Sequence, residues 1–232
     1  MKKISKKELK NILEKHKRWL MNEKDGKRAN LSYTDLSNAD LNYAELQYAD
    51  LNYAELGFAD LNHANLAKAN LYHANLQFAE LRFANLSGAD LSNADLSCTG
   101  LCFSDLSNAD LNYADLSNAN LDHTELQYTD LSGANLSGAN LTSTNLSNAN
   151  LEFANLTQAK LPKQIIQIGP IGSRKSYTII NLDDDIINCG CWKGSLEEFK
   201  ARIDEVYPDG KYRVQYLGVI SLVESLRSVE NA

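Results

Sequence analysis

Basic residues all but vanish from the middle of this chain: between Ala29 and Lys160 there are only Lys68, Arg82 and Lys160, against 16 Asp and Glu. A surface with so few cations cannot release counterions from nucleic-acid phosphates, so direct binding to duplex DNA is not expected. Long apolar runs are missing as well, which excludes a membrane-crossing helix of the usual length. The lysine-rich start lacks the apolar segment of a secretory signal, and a cytoplasmic protein is expected. Cysteine is sparse at four. Cys98 and Cys102 lie on outward positions of neighbouring units and Cys189 and Cys191 flank Gly190, neither pair with the further Cys or His that a zinc knuckle wants nearby, so no metal site is expected. The four histidines, His16, His63, His73 and His123, bring no nucleophile, base and orienting group together, and neither an enzyme nor a cofactor is indicated.

What the chain does have is leucine at every fifth residue, from Leu31 through Leu156, with Leu161 closing the series. Two residues before each leucine stands a small side chain, mostly Ala and otherwise Thr34, Thr99, Ser104, Thr124, Thr129 or Thr144. The residue just before it is nearly always Asp, Asn or Glu. A period of five fits neither a strand period of 2 nor a helical one of 3.6. The leucines share one direction only if the chain turns once per unit, four units making a 20-residue coil that stacks on the next.

The A-(D/N)-L-x-x unit resembles the pentapeptide-repeat family. That resemblance implies a right-handed, four-sided β-helix in which the leucine and the small residue point inward and the other three positions face solvent. No central position holds Phe, unlike several members of the family. The expected fold class is an all-β solenoid: a quadrilateral β-helix of about 6.6 coils at roughly 4.8 Å per coil, with a helical N-terminal cap and a small C-terminal α+β domain. The boundaries are 1–28, 29–161 and 162–232.

Ser5 with Glu8 forms a capping-box pattern, and Leu9, Ile12, Leu13, His16, Trp19 and Leu20 recur at helical spacing, predicting a helix over 6–22 that covers the first coil. Beyond Pro162, strands are expected over 165–168, 177–181 and 186–189, with turns at 169–173 and 183–185. Helices are expected over 196–207, opened by Ser195 with Glu198, and over 211–228. The tail has enough apolar residues to pack on itself and hide the last edge of the repeat. In family members that inhibit type II topoisomerases, C-terminal elements pair two copies, so a homodimer is a further expectation from the resemblance.

The surface offers two candidate sites. Gly169, Gly172, Ser173, Arg174 and Lys175 could turn amides and two cations towards a phosphate or other anion, although the segment lacks the Walker A spacing. Tyr33, Tyr53, Asp90, Asp95, Asp110, Asp115 and Asp130 face outward on the repeat and form a candidate partner surface. The leading expectation is a non-enzymatic scaffold whose partner is another protein. Its alternatives are an acidic mimic of DNA that occupies a topoisomerase or other DNA-binding enzyme, and small-anion or nucleotide binding by the C-terminal domain.

Overall fold

The structure, a computed structural model, describes residues 1–171, 176–189 and 192–230. It divides into two compact units: Met1–Asn150 with Ala154–Lys160, and Leu151–Phe153 with Leu161–Ala232.

In the first unit, strand β1 (Lys2–Lys3) precedes helix α1 (Lys6–Leu20), and β1 pairs in parallel with β2 (Thr34–Asp35). Ser5 caps α1 by accepting the Glu8 N–H at 3.1 Å, while the Glu8 carboxylate turns to Lys2 Nζ at 2.7 Å. Half of the expected capping box is therefore made. The one fully buried residue of α1 is His16. Gly26 lies so close to the helix that an added Cβ would sit 2.4 Å from the Trp19 nitrogen, so the return from α1 to the repeat needs a residue without a side chain there.

From Ala29 onward one pattern recurs. Leu71 N–H donates to the Asp90 carbonyl at 2.7 Å, Asp90 N–H to the Ala69 carbonyl at 3.0 Å, and Ala74 N–H back to the Leu71 carbonyl at 2.9 Å. The first two bonds tie each coil to the next, and the third closes a turn within the coil. Bridges join each residue before a leucine to the one 20 positions later, from Asn30↔Asp50 to Asn140↔Lys160. Every central leucine from Leu31 to Leu156 is 0–3 % exposed, which is the packing that makes the five-residue register obligatory. Inward Thr99, Thr124, Thr129 and Thr144 donate their hydroxyls to leucine carbonyls of the preceding coil, at 2.6–3.1 Å, so their polarity is satisfied inside the stack.

The expected fold class does not hold. Each bridge is a single residue between turns, the bridges do not merge into strands, and the repeat forms no closed or curled sheet. It is not a continuous β-helix or solenoid of strands, and helix and strand are both minorities of a mostly coil chain, at 20 % and 21 %. The physical reason lies at the second residue after each leucine. That residue has positive φ, from Tyr33 (53°) to Gln158 (60°), with Ser143 alone departing among the described units. A left-handed residue every fifth position ends any extended run after about one pairing residue, so no ladder can lengthen along the chain.

The second unit holds a four-stranded antiparallel sheet in the order β3-β4-β5-β6: β3 (Ile165–Ile171), β4 (Ser176–Asn181), β5 (Ile186–Cys189) and β6 (Trp192–Gly194). Helices α2 (Leu196–Val206) and α3 (Gly210–Glu230) follow. Ile180, Ile187, Leu196, Phe199, Ile203, Val219 and Val223 form its core. The Ser195–Glu198 capping box is complete, and the bonds from Ser195, backbone first, hold the Glu198 carboxyl below its ordinary pKa. Two expectations change. The strand expected to stop at 168 continues to Ile171, with a register shift against β4 between Ile168 and Ile171. β6 had no sequence signal, because a three-residue strand containing glycine shows no alternation to read.

Candidate protein-interaction face

The residue before each leucine has a structural role that explains why it is mostly Asp or Asn. Its Oδ1 accepts the backbone N–H two residues on, as Asp90 does from Ser92 at 3.0 Å and Asn70 from Tyr72 at 3.1 Å. This is an Asx turn, which a carboxylate and a carboxamide make equally well. At Asp35, the Ser37 hydroxyl and then its backbone amide hold the carboxyl below its ordinary pKa. Glutamate is too long for this turn: Glu45 and Glu125 instead accept from Gln47 and Gln127 Nε2, each at 2.6 Å.

The two side chains differ between coils. At three of the places where Asn follows an acid one coil later, its Nδ2 donates back: Asn135 to Asp115 at 3.0 Å, Asn150 to Asp130 at 3.0 Å and Asn75 to Glu55 at 2.8 Å. Where acid follows acid, no such bond exists. Asp90, Asp110 and Asp130 are bridged in succession, and Asp95 and Asp115 are bridged in the neighbouring column. Five of the predicted surface residues thus fall into two columns, in which like charges stand about 4.8 Å apart along the stack.

Outward aromatic residues form ring ladders. Tyr33 and Tyr53 stack at 4.8 Å, and His73 follows Tyr53 at 5.0 Å. The longest ladder is Tyr43–His63–Phe83–Phe103–His123, with centroids 4.7, 5.1, 5.1 and 4.8 Å apart and planes within 10° of parallel. Stacking offsets the strain of holding large side chains at positive φ. The structure therefore brings Tyr33 and Tyr53 together and places them in a column separate from the aspartates.

Gly172, Ser173, Arg174 and Lys175 of the anion-binding candidate lie outside the described residues, and the backbone of Gly169 belongs to β3 instead of a turn. Gly190 and Cys191 also lie outside them. Cys98 and Cys102 are free thiols, the Cys189 sulfur accepts from the Thr178 hydroxyl at 3.2 Å, and among the described residues no group of His, Cys, Asp and Glu is arranged to hold a metal. No helix among the described residues is long and apolar enough to cross a membrane.

Sequence reasoning placed His16 on an apolar stripe and missed its role. Its Nδ1 accepts the backbone N–H of Ala29, the first inward residue of the repeat, at 3.0 Å. The proton must then sit on Nε2, which is buried without a well-formed acceptor. Burial lowers the pKa of this imidazole, and the Gln47 backbone only partly offsets it.

The model of a family described as pentapeptide repeats matches in eight copies, over 27–56, 49–82, 59–97, 103–138 and 124–162. No curated protein matches the sequence. Among solved structures, full-length QnrB1, a plasmid-mediated fluoroquinolone resistance protein, is 20 % identical over 58 % of this chain and 76 % of its own, with a TM-score of 0.43. The pentapeptide repeat protein alr5209 from Nostoc Pcc 7120 is 43 % identical over 37 % of this chain and 69 % of its own, at 0.35. Rfr23 from the cyanobacterium Cyanothece 51142 is 36 % identical over 42 % and 63 %, at 0.28.

Proposed function

The chain belongs to the pentapeptide-repeat family, and on that footing we propose that its acidic repeat binds a DNA-handling enzyme on the surface the enzyme offers to nucleic acid. The coarser role is that of the family: it is not an enzyme, and it works by contact with a protein partner.

One observation carries the finer reading. In the column Asp90–Asp110–Asp130 three carboxylates are stacked where asparagine would keep the Asx turn and add a bond between coils, as Asn150 does. Keeping like charges in register lowers stability, and such a cost points to a use outside the fold. The charge density supports the same reading. From Phe83 to Asn150 there is no Lys or Arg, and Asp90, Asp95, Asp105, Asp110, Asp115, Asp122, Glu125 and Asp130 recur. At about 4.8 Å per coil that is one negative charge per ~2 Å of stack, close to the ~1.7 Å of duplex DNA. A cationic DNA groove would meet a field of similar strength.

The test is competition. Labelled duplex bound to DNA gyrase is titrated with the chain at low and high salt. The proposal expects displacement at low salt that weakens as salt rises; a large excess that leaves the duplex bound and supercoiling unchanged contradicts it.

A further inference from the structure

The longest ring ladder stops while the repeat goes on. Tyr43, His63, Phe83 and Phe103 each stack on the ring 20 residues later, and the ladder ends at His123 because the next residue of the column is Ser143. His63 and Phe103 have a ring against each face. His123 has Phe103 at 4.8 Å on one face, and among the described residues no ring covers the other. Its side chain is 52 % exposed, so that second face opens to solvent.

Ser143 brings more than a missing ring. Its backbone departs from the positive φ of the other described units, and its N–H donates to Asp122 Oδ1 of the previous coil at 3.1 Å. That bond holds the carboxylate beside the open face, with Oδ2 4.0 Å from His123 Nε2. Asp105 and Glu125, each two residues after a ring of the ladder, are bridged in the next column, and no Lys or Arg lies between Phe83 and Asn150. A bare ring face with carboxylates around it attracts a cation and repels a phosphate. The chain's own cations already approach outward rings in this way: Lys68 Nζ stands 5.7 Å from the centre of Tyr48, and Arg82 Cζ 5.9 Å from that of Phe83.

We propose that this notch takes an arginine side chain of the partner protein as the next member of the ladder. The guanidinium lies flat on the open face of the His123 imidazole and donates to Asp122 Oδ2. Arginine suits the place better than lysine, because a planar, weakly hydrated cation can stack and pair at once, whereas an ammonium is a compact and strongly hydrated point charge. The proposal deepens the function given above and rests on it for the identity of the partner, since a surface that grips phosphates is furnished with arginine. It adds one position and one side-chain type, which the aspartate columns by themselves do not give.

The test follows the histidine ring signals of the full isotope-labelled chain by NMR while a tetra-arginine peptide is added, with tetra-lysine as control. His63, covered on both faces, and His73, which has Tyr72 beside it where His123 has Asp122, are internal references. The His123 ring is expected to shift most, and to respond to arginine at a concentration about threefold to tenfold below that needed with lysine. Asp122→Asn keeps an acceptor for Ser143 and removes only the charge, and it is expected to weaken that response by a similar factor. His123→Asn removes the ring and places at a φ of 57° a residue that adopts it readily. Both variants are expected to need about threefold to tenfold more chain to displace duplex from gyrase at low salt. Equal shifts at the three rings, or equal response to the two peptides, overturns the proposal. So does a parent chain that displaces duplex while both variants displace it equally well. A parent chain that displaces nothing removes the gyrase reading alone, and the ring response then decides the arginine site by itself.

Discussion

His16 Nδ1 accepts the Ala29 N–H at 3.0 Å and so fastens α1 to the first inward residue of the repeat. The bond requires a neutral imidazole, because a protonated ring has no acceptor to offer. Burial lowers the His16 pKa from its ordinary 6.5, so below about that pH the unfolded chain takes up a proton that the folded chain refuses. The stabilisation is complete above pH 6.5 and is lost progressively as pH falls. Hydrogen exchange at Ala29, corrected for intrinsic rate, is expected to be faster at pH 5.5 than at 7.5. In His16→Asn, whose carboxamide can accept the same bond without titrating, that difference should disappear.

Asp110→Asn is expected to stabilise the repeat by roughly 0.5–1 kcal/mol, by removing two like-charge contacts and adding an Nδ2 bond to Asp90 of the kind Asn150 makes to Asp130. Thermal unfolding checks this. A lower melting temperature would show that the aspartate column is not a site of stored repulsion.

Ala94 and Asn93 separate the inward from the outward position. Ala94 is 1 % exposed, and Ala94→Leu is expected to cost at least about 1–3 kcal/mol through overpacking. Asn93 faces outward, but its φ of 57° makes the choice of side chain matter. Asn93→Tyr should be nearly neutral, since Tyr53 and Tyr113 occupy the same position in other coils. Asn93→Val should cost about 1–2 kcal/mol, because a β-branched residue resists the left-handed conformation. Denaturant midpoints for the three variants give the order directly.

Gly133 combines a φ of 68° with the ring of Tyr113, which a new Cβ would approach to 2.5 Å. Gly133→Ala is therefore expected to destabilise by about 1 kcal/mol or more. The same change together with Tyr113→Asn should recover part of the loss, a coupling that a double-mutant cycle measures.

The five-residue spacing made the buried leucines and alanines legible, because only a chain that turns once per unit can bury Leu71, Leu76, Leu81 and Leu86 together. The absence of continuous strands was not legible. It depends on the left-handed residue two after each leucine, which Asn38, Gly88 and Asn93 announce in their units but Tyr, Phe and His conceal in most of the others. The role of Asp and Asn as turn acceptors was hidden by their acidity, which drew attention to charge. His16 gave no signal either, since an imidazole on an apolar helix face reads as ordinary packing. The outward face of Tyr33 and Tyr53 could be read from the period of 20, but the division between ring ladders and aspartate columns required the coordinates.

The most direct measurement pairs two readouts on one variant. Asp90→Asn, Asp110→Asn, Asp130→Asn keeps every Asx turn while removing three charges. If the acidic column serves to occupy a DNA-handling enzyme, the triple variant melts higher than the parent chain yet displaces duplex from gyrase less well at low salt. A variant that displaces duplex as well as the parent at every salt concentration contradicts the account.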